Sequence, residues 1–276
     1  RRGVTITPER KYITLDNVQG NIAFENVTFK YKNESNNAVD ELRINIRPGE
    51  KVGILGRIGS GKSTMLKLAS GLYDTEKGNV TLDGVDMRQL DPNFLRNQVL
   101  LFSQSPRLFL GTLRENMDLA RTDSYSTDQD LLTALKRFGL DQIIRNHPRG
   151  LDMPLGEDGL GLSGGQKQII ALARMTLRDP KVVLLDEPTT SLDQGTERMA
   201  LNAIAHWGRN RTMLLVTHRP QVLQIVNRII VMENGKVVMD GPRDLVLQKL
   251  MQNEQNKVKA AQQAQENQRP GEAAQA

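Results

Sequence analysis

Eight consecutive residues, Gly56-Arg57-Ile58-Gly59-Ser60-Gly61-Lys62-Ser63, fit the spacing G-x-x-x-x-G-K-[ST]. A glycine-rich bend of this kind turns successive backbone N–H groups into one concavity, and a helix start beside it adds to the attraction for an anion. Lys62 would reach the β- and γ-phosphates of a nucleoside triphosphate. The Ser63 hydroxyl, with Thr64 next to it, would face a Mg²⁺ ion. A second string supplies the water side of such chemistry. The apolar run Lys181-Val182-Val183-Leu184-Leu185 ends in Asp186-Glu187. Asp186 would hold Mg²⁺, directly or through water, and Glu187 would orient and polarise an attacking water.

These groups must be carried by strands and helices in a set order. Lys51 to Leu55 is a short apolar run suited to a buried strand. From Ser63 a helical pattern begins, with Met65, Leu68 and Ala69 on one face. The run before Asp186 reads as a parallel strand buried on both sides, with the acids at the end where open α/β sheets place their ligands. Residues 20–48 alternate as an antiparallel sheet should. The nucleotide core takes in 49–103 and returns from about 179 to 240. Residues 105–178 carry helical patterning, including a helix over Asp128 to Phe138 with Leu131, Leu132 and Leu135 apolar. Strands are expected at 211–217 and 228–239, with Asn234-Gly235 as a hairpin turn. A terminal helix is expected over 243–262, followed by a Gln/Ala-rich polar tail; taken whole, 251–276 reads as a disordered tail.

Leu162-Ser163-Gly164-Gly165-Gln166, about a hundred residues beyond the phosphate loop, resembles the signature motif of ATP-binding-cassette (ABC) ATPases. Over about residues 11–250 the chain is similar to the nucleotide-binding domain of an ABC transporter. The resemblance implies an α/β fold: a RecA-like P-loop NTPase core, an antiparallel β subdomain and an inserted α-helical subdomain at about 105–178. It also implies ATP and Mg²⁺ as cofactors. Gln104 matches the family's Q-loop glutamine, a contact to Mg²⁺ and water. Asp193 matches the D-loop, His218 the switch histidine at the γ-phosphate, and Tyr31 the aromatic that stacks on adenine. Gly56, Arg57, Ile58, Gly59, Ser60, Gly61, Lys62, Ser63 and Thr64 form the phosphate cradle. Ser163, Gly164, Gly165 and Gln166 cap the γ-phosphate held by a second copy of the chain, so the family works as a head-to-tail homodimer.

Exporter cassettes are the better match within that family. Gly20 to Val27 opens the fold as theirs do, Arg114-Glu115-Asn116 follows the Q-loop as in exporters, and Gly156-Glu157-Asp158-Gly159 resembles their X-loop. The likeness is greatest to bacterial type I secretion exporters of large repeats-in-toxin proteins. It implies a transmembrane domain, a protein substrate, periplasmic and outer-membrane export components, and a place on the cytoplasmic face of the inner membrane. The alternatives are a cassette for a lipid or small molecule, or a non-transport ABC ATPase. The last usually splits its cassette with a long coiled coil, and Gln104 and Ser163 lie too close together for one.

Composition sets looser bounds. The chain has 276 residues, a formal net charge of +5 and no cysteine, so thiol and disulfide chemistry is excluded. No apolar stretch approaches the roughly 20 residues that span a bilayer. Aromatics are scarce and no arginine-rich run occurs, which argues against a nucleic-acid partner. Residues 1–19 read as a linker from a membrane domain ahead of Arg1, with a separate ATPase subunit as the alternative.

Overall fold

The computed structural model describes residues 12–120, 126–159 and 161–267. At its centre is a six-stranded sheet of β3 (Lys51–Gly56), β6 (Val99–Phe102), β9 (Val182–Asp186), β10 (Thr212–Val216), β11 (Arg228–Glu233) and β12 (Lys236–Pro242). Their spatial order is β12-β11-β3-β10-β9-β6. All neighbours run parallel except β11 and β12, which form a hairpin. Its two turn residues, Asn234 and Gly235, both have positive φ, as a tight hairpin turn requires.

The apolar run before Asp186 becomes β9, and all five of its residues are buried. Its side chains alternate between two cores. Val182 and Leu184 join a cluster with Ile54, Met65 and Ile22, while Val183 and Leu185 join one with Phe102, Ile169, Leu172 and Ile204. A strand buried on both faces has no polar positions to spare, which is why its sequence shows no alternation.

A four-stranded antiparallel sheet covers the first core. It contains β1 (Ile22–Phe29), β2 (Val39–Ile46), β4 (Lys77–Leu82) and β5 (Val85–Asp86), in the order β2-β1-β4-β5. Residues 77–86, expected in the nucleotide core, thus belong to the antiparallel layer: β1 pairs with β2 on one edge and with β4 on the other. Helix α1 (Lys62–Ala69) lies between the layers with Met65, Leu66, Leu68 and Ala69 buried.

The segment between β6 and β9 holds α3 (Leu113–Asp118), α4 (Asp128–Arg137), α5 (Asp141–Asn146) and α6 (Gly164–Met175), plus a short pair of strands, β7 (Gly111–Thr112) and β8 (Pro154–Leu155). Helix α2 (Pro92–Gln98) precedes it, and α7 (Gln194–Trp207) follows β9. In α4 the buried stripe is Leu131, Ala134 and Leu135, while Leu132 faces out. The last helix, α8 (Arg243–Asn267), packs on β11 and β12 through Val246 and continues past its last core contact. Residues 251–267 are therefore helical rather than part of a tail without structure. Of the segments expected as linker and tail, 1–11 and 268–276 lie outside the described residues. Among the described residues no helix is long and apolar enough to cross a membrane.

Candidate functional site

Parallel pairing fixes where the candidate residues converge. Ile54 on β3 pairs with Val216 on β10, which pairs with Asp186 on β9, and Phe102 on β6 pairs with Leu185. The phosphate loop after β3, Asp186-Glu187, His218 and Gln104 therefore all leave the same edge of the sheet, within two residues of a strand end or at it.

The loop itself requires glycine at two points. Gly56 has φ of 152° and Gly61 of 99°, and a Cβ at either would collide with a backbone carbonyl, of Met232 and Ala38 respectively. Helix α1 starts at Gly61 with no side-chain cap and no acid in its first turn. Its unpaired N–H groups are left for an anion. Lys62 is buried, and its ammonium donates to the carbonyls of Gly56 at 2.9 Å and Arg57 at 2.8 Å. Burial lowers the Lys62 pKa, and the carboxylates of Glu187 and Asp186 partly offset that. Arg57, Ile58 and Gly59 form the exposed crest, with Ile58 94 % exposed, so these residues serve through their backbone. Ser60 is buried below them.

Opposite the loop, burial raises the pKa of Asp186, with the Ser63 hydroxyl and the cations Lys67 and Lys62 acting against the rise. The Ser63 hydroxyl thus lies within hydrogen-bond reach of the Asp186 carboxylate, and both are oxygen donors that a divalent ion could take. Burial also raises the Glu187 pKa, which nearby His218 opposes. Glu187 Oε1 is buried without a hydrogen-bond partner, and His218 Nε2 stands 3.5 Å from it. A buried, unpartnered carboxylate oxygen beside an imidazole is suited to accept a proton from water. Among the described residues no cluster of three His, Asp or Glu could hold a metal alone. A Mg²⁺ here would share its shell with phosphate oxygens and water, as this ion commonly does. The donor set therefore fits Mg²⁺ carried in by a nucleotide.

Tyr31 sits beside the loop helix, its hydroxyl 3.1 Å from Thr64 Oγ1. It meets Phe29 and Tyr73 edge to face, at 5.0 and 5.7 Å between ring centres. Gln104 lies exposed in the loop after β6. Asp193 caps α7 within its own chain: Oδ1 accepts from the amides of Gly195 and Thr196, both at 3.0 Å. The signature residues lie at the start of α6. Ser163 Oγ accepts from the Gln166 amide and Gln166 Oε1 from the Ser163 amide, a reciprocal cap. Their closest backbone neighbour is Ser191, whose carbonyl would stand 3.1 Å from a Cβ placed on Gly165.

Residues 39–190 match the family described as ABC transporter. The chain belongs to that family. Among ABC relatives it is 38 % identical over 243 residues to the ATP-dependent lipid A-core flippase of Neisseria gonorrhoeae, covering 88 % of this chain and 38 % of that protein. It is 36 % identical over 245 residues to the leukotoxin translocation ATP-binding protein LktB of a Pasteurella haemolytica-like species, covering 88 % and 34 %. The structure of a bacterial Atm1-family ABC exporter with ATP bound superposes with a TM-score of 0.81 at 28 % identity, covering 88 % of this chain and 42 % of that one. The chain thus spans well under half the length of these relatives. An ABC exporter's ATP-binding domain is the level of description they support.

Several residues of the site have no sequence motif. Tyr73 packs edge-on against Tyr31. Arg219 donates to the carbonyls of Leu192 and Thr190 and to Glu197 Oε1 at 2.8 Å, while Thr189 donates to the same carboxylate at 2.6 Å. Gln168 is buried between Glu187 and Ser191. Gln168 could have been suspected as a polar residue on the apolar stripe of α6. Arg219 and Thr189 lie beside His218 and Glu187 in the chain, while Tyr73 and Glu197 come from other segments.

Proposed function

We propose that this chain is the ATP-hydrolysing domain of an ABC exporter, that two copies close head to tail over two Mg-ATP, and that the exporter moves a lipid. The observation that carries the catalytic part is the convergence at one sheet edge: a buried lysine in a glycine loop, a buried Asp186, and Glu187 with a free oxygen 3.5 Å from His218. Lys62 binds the β- and γ-phosphates, Tyr31 takes the base, and Glu187 draws the proton from water while His218 stabilises its orientation. Mg²⁺, held by Ser63 and Asp186 with Gln104 as a further ligand, would neutralise charge on the phosphates. A lone carboxylate of this kind contributes roughly 10²–10⁴-fold as a general base.

The shared-pocket reading rests on α6. Its start is capped and exposed, which leaves it open to a phosphate from a second copy. In that arrangement Ser163→Arg and Lys62→Ala each abolish hydrolysis alone. Mixed, they form dimers in which one pocket carries both defects and the other carries none. Partial recovery of activity on mixing is expected, together with a specific activity that rises with protein concentration. A stable monomer with concentration-independent activity would overturn the shared pocket.

The lipid cargo is supported by relatives named lipid A-core flippases at 37–39 % identity. Protein export is the second reading, favoured by LktB at 36 %. On either reading the domain would work at the cytoplasmic face of the membrane beneath a transmembrane partner. With that partner in lipid vesicles, stimulation of ATP turnover by a lipid A-type glycolipid supports the first reading. Indifference to lipid together with stimulation by an unfolded secretory protein reverses the order.

A further inference from the structure

Among the described residues Glu187 is one of six non-glycine residues with positive φ, at 50°. A residue with a Cβ is disfavoured there, so the conformation has to be held by its surroundings. Its amide donates to Val216 O at 3.0 Å, which ties it to β10. Its carbonyl is tied to another element altogether. The side-chain amide of Gln168, on α6, donates to Glu187 O at 3.3 Å. The other end of the same carboxamide, Oε1, accepts the Ser191 amide at 2.8 Å. Gln168 is only 2 % exposed, so both of its polar ends are spent on these two backbone groups.

Three facts make this bridge more than a packing contact. Gln168 lies five residues after Ser163 on one continuous helix, about 7.5 Å along the axis, so a shift at the signature end reaches it with little loss. Gly165 already packs against the Ser191 carbonyl, so the helix touches that loop twice. The far side of the loop is fixed: Arg219 grips the carbonyls of Thr190 and Leu192, and leans on Glu197, which is 3 % exposed. A loop clamped on one side passes a displacement on to Glu187 rather than absorbing it.

From this geometry we propose that Gln168 is a positioning residue that couples the two pockets of the dimer. The inference rests on the head-to-tail reading above. When Ser163 of one chain closes on the phosphate held by its partner, α6 moves with it, and Gln168 sets the carbonyl of Glu187 in that chain's own pocket. Phosphate capture in one pocket then aligns the water-activating carboxylate in the other.

The test uses Gln168→Met, which keeps length and volume but makes neither hydrogen bond. It is expected to lower kcat at least tenfold, to leave KM for ATP within about twofold, and to bring the Hill coefficient for ATP turnover down to 1. A packing defect alone would lower the melting temperature without separating kcat from KM. Should Gln168→Met fail to fold, Gln168→Asn keeps the carboxamide but is one methylene too short to span both partners, and the same split is expected. Wild-type kcat in whichever variant folds, a KM that rises along with the fall in kcat, or a lowered kcat with an unchanged Hill coefficient would each overturn the proposal. A wild-type protein with a Hill coefficient of 1 and activity independent of concentration would instead defeat the dimer reading beneath it.

Discussion

Two helix starts in this molecule are candidates for phosphate, and they are built in opposite ways. Helix α1 begins at a left-handed glycine with no side-chain cap, backed by a buried lysine and flanked by two buried acids. Helix α6 begins at an exposed serine whose cap is already closed by Gln166. The first is a complete half of a pocket. In the second, a reciprocal cap already pairs the Ser163 and Gln166 amides, and its face is open. The contrast teaches that a helix start becomes a strong anion site when its donors are left unpaired in a low-dielectric setting. A capped and solvated start gains that strength only when another surface closes over it.

The largest effect should come from the acid beside α1. Glu187→Gln removes the proton acceptor and is expected to lower kcat by roughly 10²–10⁴-fold while ATP still binds, measured by steady-state turnover and by calorimetry. The mutant should also accumulate as an ATP-bound dimer on size exclusion. Turnover near the wild-type rate would take Glu187 out of the base role.

Next in size is a direct comparison of the two helix starts in binding. Lys62→Ala removes a charge-assisted contact of about 1.5–3 kcal/mol and should weaken ATP affinity by roughly ten- to a hundredfold. Ser163→Ala should leave the affinity of a dilute, monomeric sample unchanged. Equal losses from the two substitutions would erase the distinction between the sites.

A smaller effect is expected at the base. Tyr73→Ala removes one of the two edge contacts that orient Tyr31, each aromatic pair being worth about 0.5–1.5 kcal/mol. ATP affinity should fall several-fold, while affinity for inorganic tripolyphosphate, which has no base, stays the same. A matching loss for tripolyphosphate would reassign Tyr73 to the phosphate side.

The smallest effect concerns stability. Burial raises the pKa of Asp186 in the folded state, so the unfolded chain gives up its proton first as pH rises. The folded state then carries more protons, and stability falls from the ordinary carboxylate range upward until the raised value is passed. Asp186→Asn should therefore raise the melting temperature of the nucleotide-free protein at neutral pH by on the order of a few °C, and the gain should vanish in acid below the ordinary carboxylate range. A gain of the same size at both pH values would remove the buried charge as its cause.

The parts of the site that could be read in the sequence are those whose chemistry is local. The phosphate loop is eight contiguous residues, and Asp186-Glu187 follows directly on the strand that carries it. The reading failed where pairing over long distances decides the outcome. Residues 77–86 carry no mark that assigns them to the antiparallel layer, because β1 has two edges and only packing determines which strand takes the second one. The helix expected over 243–262 runs on to Asn267, for a different reason. Residues 251–267 have only Met251 and Val258 as larger apolar side chains, but Gln, Lys, Ala and Glu are good helix formers and continue a helix already nucleated on the core.

By itself the sequence determined the inventory: a glycine loop with its lysine and serine, a buried strand ending in two acids, and a serine-capped helix with two glycines. Backbone motifs and hydrophobic runs are set by neighbours along the chain, so they survive reading one residue at a time. Only the tertiary structure decided that Glu187 adopts a left-handed backbone with one oxygen unpaired and His218 3.5 Å away, and that Gln168 holds it from another helix. Those contacts join residues 19 to 31 positions apart. They form because two layers pack on both faces of one sheet, which fixes where each strand ends and what meets there.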